Sequence, residues 1–250
     1  ARDPLLRTEL LPPGYFAPTG DSSRLDQALS DIPELAGTFE KPRYVQYNPD
    51  ICAHSERGIA GCTQCIDVCP AGSLTSLAGR ISVDPHLCHG MGSCAAVCPT
   101  GAMTYAYPNL ARTLDSLRRL LSSFREATDL SAVLLLFDSE HAGSTVKGVV
   151  ANMAADVIPW RIEEVGSTGI EVWLSAVAYG ARSVVIVTTT HTPPSTRTAL
   201  ESQVKLAGVL LEGLGYSSNY VRLIDVEHLS DSANLAVDPC SEIRVAATYG

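Results

Sequence analysis

Seven of the eight cysteines in this 250-residue chain fall between Cys52 and Cys98, and their spacing is the first chemical signal. Iron–sulfur clusters need thiolates crowded into one tight loop, a need met by the recurrent run C-x2-C-x2-C-x3-C-P. Residues 88–99, C-H-G-M-G-S-C-A-A-V-C-P, place Cys88, Cys94, Cys98 and Pro99 in register with that run, while Met91 takes the second cysteine slot. Residues 52–70 fill the last three slots with Cys62, Cys65 and Cys69, followed by Pro70, and the first slot falls on Ile59. Cys52, seven residues before Ile59, supplies the displaced thiolate if the intervening loop folds back. Gly58 and Gly61 make such a loop sterically possible.

In two-cluster sites of this type the last cysteine of each run serves the opposite cluster. Applied here, the exchange gives Cys52, Cys62, Cys65 and Cys98 to cluster one, a [4Fe-4S] centre. Cys88, Cys94 and Cys69 remain for cluster two, whose fourth slot is left vacant at Met91. That corner either loses its iron, giving [3Fe-4S], or keeps it in an incompletely Cys-ligated [4Fe-4S] cluster through the Met91 thioether, His89 or solvent. A neutral thioether is a weak substitute for a thiolate, so the three-iron form is expected and Met91 reads as a packing residue. With one anionic ligand fewer, cluster two should have the higher reduction potential. Zinc is disfavoured because only Cys62 and Cys65 form a C-x2-C pair. Disulfides are disfavoured because no leader to an oxidising compartment is evident. Cys240 stands alone and reads as unliganded.

Residues 46–108, with both Cys-Pro runs, resemble bacterial dicluster ferredoxins; the displaced Cys52 and the missing cysteine at Met91 are the departures. Residues 131–227, through EVGSTGIEVWLSAVAYGARSVVIVTTTH and GVLLEGLGYSSNYVRLI, resemble the hydrogenase delta subunit associated with heterodisulfide reductases. That resemblance implies a flavodoxin-like fold. Members of the delta family bind [2Fe-2S] through cysteines in loops at the strand ends, but DSEHAGST, EEVGSTG and THTPPST contain none. The resemblance therefore implies a cluster-free scaffold serving as a docking platform.

The elements that must carry these residues follow from hydropathy. Residues 1–45 read as an arm, broken by Pro12, Pro13 and Pro18, with one short helix in SSRLDQALSDIPEL. Within the dicluster segment, 46–108, alternation at Ile81 and Val83 suggests a strand. Leu110, Leu114, Leu117, Leu121 and Phe124 recur at helical spacing and predict a linker helix over 109–128. From 129 to 227 strands at 131–138, 157–165, 183–190 and 219–225 alternate with helices at 144–155, 168–180 and 195–214. Such alternation, with strands as apolar as 184–187, predicts a parallel sheet covered on both faces. Pro159 belongs at an edge or a strand start, because it cannot donate to a ladder. Residues 228–250 read as a tail, polar at SDSAN and Asp238-Pro239. The expected fold class is thus an α+β ferredoxin-like dicluster domain joined to an α/β flavodoxin-like parallel-sheet domain.

A net charge of −9 without a basic cluster argues against nucleic acid and anionic membranes, and suits docking to a basic redox partner. No apolar run approaches the ~20 residues of a membrane span. The absence of a basic, then apolar, start predicts a cytoplasmic protein, and the start at Ala1 predicts a piece of a longer one. Ser139, Ser144, Thr145, Ser167, Thr168, Ser195 and Thr196 sit near helix starts, where they either cap the helices or cradle a phosphate. Neither the six histidines nor Asp138, Glu163 and Glu164 form an acid/base pattern in the sequence. The expectation is a non-catalytic electron carrier or a subunit of an oxidoreductase complex, acting on redox partner proteins. The alternatives are a flavin- or anion-binding redox enzyme module and an iron or redox sensor.

Overall fold

A computed structural model describes residues 5–18, 20–38, 40–54, 61–150 and 155–230. Gly58, Ile59 and Cys240 lie outside the described residues. The arm contributes helix α1 (Ser22–Asp31), started by Asp21, whose carboxylate accepts the Ser23 and Arg24 amides. In the cysteine-rich segment, β1 (Val45–Tyr47) pairs antiparallel with β4 (Met103–Tyr105), and β2 (Leu74–Leu77) with β3 (Arg80–Val83). Two one-turn helices, α2 (Gln64–Asp67) and α3 (Ser93–Ala96), occupy equivalent places in the two halves. Both cysteine runs share one apolar core, in which Cys65 and Cys94 sit with Leu74, Ile81 and Met103.

Helix α4 (Leu110–Thr128) is capped by Asn109, whose side chain accepts the Arg112 amide. Beyond it come β5 (Val133–Asp138), α5 (Gly143–Val150), β6 (Val157–Ile162), α6 (Ile170–Ala178), β7 (Ser183–Thr188), α7 (Pro194–Gly213) and β8 (Val221–Asp225). All neighbouring strands in this four-stranded sheet are parallel, in the order β6-β5-β7-β8. Pro159 thus falls on an edge strand, where its missing N–H need not be paired. The side-chain period of two divides β5: Leu134 and Leu136 face α4, α6 and α7, while Val133, Leu135 and Phe137 face Val146 of α5. Leu117 and Leu121 of α4 are buried in the first of these layers, so α4 is a core helix of the sheet domain. Leu229, inside the stretch read as a tail, is fully buried in the second layer.

Candidate metal centre

Cys52, Cys62, Cys65 and Cys98 line one small cavity, walled otherwise by apolar and aromatic groups such as Tyr47, Ile81 and Met103. Three come from the first cysteine run and Cys98 from the second. The Cys62 amide donates to Ala53 O (3.2 Å), which draws residues 52 and 53 up against Cys62. Backbone amides also reach the sulfurs: Met103 N–H donates to Cys98 Sγ (3.3 Å) and His54 N–H to Cys52 Sγ (3.4 Å). Burial pushes the Cys65 thiol up to about 11, helped by the neighbouring Cys98, Cys62 and Cys52. At Cys98 burial acts in the same sense, but amide bonds from Met103, Thr100 and Ala102 outweigh it and hold the thiol below its ordinary value. Donors aimed at sulfur favour the thiolate, the form that ligates metal.

Cys94, buried in α3, is the centre of the second group. Burial drives its thiol strongly upward, and the next contributions come from Cys69 and Cys88, then Cys65. The Ser73 amide and hydroxyl lie 3.4 and 3.2 Å from Cys69 Sγ. Met91 is half-buried, with its carbonyl oxygen pressed toward Gly166. His89 has its imidazole pKa lowered, by burial first and then by Lys41. Among the described residues no three His, Cys, Asp or Glu side chains converge on a single-ion position. Soft thiolates, amide donors to sulfur and an apolar surround fit iron–sulfur ligation, and a bound cluster would supply reversible one-electron chemistry there.

The second cysteine loop is wedged into the sheet domain. Ser93 and Thr196 share a buried hydroxyl–hydroxyl hydrogen bond of 2.8 Å. Gly92 has φ +76°, and a Cβ there would lie 2.4 Å from Ser167 Cα; one on Gly166 would lie 2.4 Å from Met91 O. Both positions face backbone, so neither tolerates a side chain. These contacts use the loops after β6 and β7, the edge where parallel α/β sheets usually take ligands. Three of the residues considered for a phosphate cradle are engaged within the protein. Ser195 N–H and hydroxyl bind the Glu9 carboxylate, Ser167 hydroxyl donates to Glu164 O, and Thr168 accepts from Trp173 Nε1.

Sequence reasoning missed a titratable group at the same edge. The rings of His141 and His191 stack with centroids 4.4 Å apart, and His141 Nδ1 lies 3.3 Å from Asp138 Oδ1. Glu164 is pushed up to about 7 by burial, reinforced by Asp138, Glu140 and Glu163. These residues follow different strands, so only the sheet order, and no local motif, brings them together.

Comparison with known families bears on the cysteine-rich half. Residues 44–107 match the family described as the 4Fe-4S dicluster domain. The matched segment covers both cysteine runs and both antiparallel strand pairs, ending before α4. Hydrogenase-4 component A of Escherichia coli (strain K12) is 30% identical over 83 residues, covering 31% of this chain. The chain spans 38% of that protein's length. No helix among the described residues is long and apolar enough to cross a membrane.

Proposed function

We propose that the chain is an iron–sulfur electron-transfer protein or subunit, working within an oxidoreductase complex. Cys52, Cys62, Cys65 and Cys98 hold a [4Fe-4S] cluster. Cys69, Cys88 and Cys94 hold a second cluster in the [3Fe-4S] form, beside the vacant slot at Met91. The single observation that carries this reading is the company Cys98 keeps: it shares a cavity with three thiols of the other run. The relative named as a hydrogenase component supports a place in a multi-subunit redox assembly. The 2-1-3-4 parallel order of the sheet supports a flavodoxin-like second domain, used here as a scaffold.

The chain's own part is to hold, insulate and tune. Amides of Met103, His54 and Ser73 lie against cysteine sulfurs, and such bonds raise the potential of a bound cluster. The shared apolar core keeps water from Cys65 and Cys94. Iron and sulfide analysis with electron paramagnetic resonance, on anaerobically prepared Cys98→Ser and Cys69→Ser variants, tests the assignment. Cys98→Ser should remove the four-iron signal and Cys69→Ser the three-iron signal. Loss in the opposite pairing, or a wild type with two ordinary four-iron signals, defeats the crossed, three-iron reading.

A further inference from the structure

Two cavities lie between the dicluster domain, the first turns of α4 and the sheet domain. The inner one, about 300 Å³, is lined mainly by apolar groups including Met103, Ile170 and Val172, with Glu171 also in its wall. The outer one, about 380 Å³, carries Arg112, Arg161 and Trp160, with Glu163. Tyr105, Pro108, Thr113 and Ser167 belong to both walls, so the two chambers are immediate neighbours along one cleft. Each chamber is of the size that takes small ligands, at the domain boundary where such sites concentrate.

The cleft has a particular neighbour. Cys98 and Met103 line the inner chamber and also the cavity of the four thiols, so one layer of side chains separates the two spaces. Tyr105 ties the cleft to the other cysteine loop as well: its ring forms the shared wall, and its hydroxyl donates to Gly90 O at 2.9 Å. A ligand filling the inner chamber has Cys98 in its wall and lies beside both cysteine loops.

The lining states what would fit. An apolar chamber bounded by Tyr105 and Pro108 takes a flat ring, and Glu171 in its wall, whose carboxylate accepts the Gly169 and Glu171 amides and keeps further lone pairs, favours a ring with an N–H donor over a hydrocarbon or a quinone. Among the described residues neither Arg112 nor Arg161 makes an ion pair, although other surface arginines such as Arg119 and Arg197 do. Two guanidiniums with no ion pair among the described residues, against the one carboxylate of Glu163, leave the outer chamber cationic, and guanidinium suits phosphate.

We infer that this cleft is a binding site for a planar, N–H-bearing heterocycle with an anionic tail, of the flavin mononucleotide class. The ring occupies the inner chamber against Cys98 and the phosphate occupies the outer chamber between Arg112 and Arg161. The site borders the loop after β6, which supplies Glu163, Ser167 and Thr168, and takes no residue from the loop after β7. The binding claim stands on the cleft alone; only its redox meaning rests on the proposed function.

The test titrates flavin mononucleotide into the anaerobic full-length chain and follows quenching of flavin fluorescence, with riboflavin in parallel. Saturable binding is expected, weakened about tenfold or more in the double variant Arg112→Ala/Arg161→Ala through loss of charge-assisted hydrogen bonds. Riboflavin should bind more weakly and ignore those substitutions. Thr113→Trp, which fills the shared wall, should abolish binding of both, while unchanged thermal unfolding reports an intact fold. Absence of flavin mononucleotide binding up to about 1 mM overturns the inference. So does equal affinity across wild type and variants. Iron analysis of the same samples separates the two claims, since flavin binding without iron leaves the cleft standing and removes the relay.

Discussion

Ser93 and Thr196, 103 positions apart, meet hydroxyl to hydroxyl at 2.8 Å, with Thr196 wholly buried. The contact joins the helix carrying Cys94 to the first turn of α7, so the second cysteine group and the sheet domain are tied at one polar point. Ser93→Ala leaves the Thr196 hydroxyl buried without this partner, at a cost of about 1–3 kcal/mol. Thermal unfolding should fall by roughly 2–6 °C. A double-mutant cycle with Thr196→Val should give a clear coupling energy, and strict additivity would show the bond to be idle.

Gly166→Ala should part the two domains locally, because a new Cβ at 2.4 Å from Met91 O meets backbone that cannot rotate away. Hydrogen exchange of residues 90–96 is expected to speed up. Gly148→Ala is the control: nothing lies within 4 Å of its would-be Cβ, and the helical position favours alanine by about 0.5–1 kcal/mol. Equal protection in the two variants would contradict the close approach.

Met91→Cys supplies the missing thiolate. On the three-thiolate reading the three-iron resonance signal disappears, iron content per chain rises, and the potential of that cluster falls as an anionic ligand is added. Redox titration followed by electron paramagnetic resonance checks all three. Unchanged spectra would mean that Met91 does not border the cluster.

Glu164 gives the protein a stability term that opposes alkaline pH. Its carboxyl is raised from 4.5 to about 7, by burial first and then by Asp138, Glu140 and Glu163. The folded state therefore binds this proton more tightly than the unfolded chain. Its contribution is most favourable below pH 4.5, declines as pH rises to about 7, and is flat above. Glu164→Gln should raise the unfolding temperature at pH 8 by a few degrees, and the gain should shrink to nothing near pH 4.5. A gain independent of pH would point to packing instead of charge.

What the sequence disclosed, and what it withheld, divides by range. The i, i+3/i+4 recurrence from Leu110 to Phe124 and the apolar run at 184–187 gave α4 and β7 directly, since both signals are local. Cys98 could be grouped with the first run because the motif itself encodes the exchange. Strands β1 and β4, each of three residues, carry too little alternation to announce a pairing. Gly92 and Gly166 were illegible for a different reason: each looks like an ordinary loop glycine until the two backbones are seen to touch. The cleft had no signature either, because its arginines and its Cys98 wall come from three separate segments. The partner of the linker helix predicted over 109–128 could not be read, because amphipathicity shows that a helix buries a face without saying against what.

That helix has a practical consequence for anyone dissecting the molecule. Leu117 and Leu121 of α4 roof the α/β sheet, so a cut after Thr128 would strip hydrophobic cover from one fragment and leave the other dragging an orphaned apolar stripe. The natural suture lies before Asn109, which must travel with α4 to preserve its cap, and a chimaera joined there keeps both interiors covered only if the new half also matches the seam of Gly92, Ser93, Gly166 and Thr196.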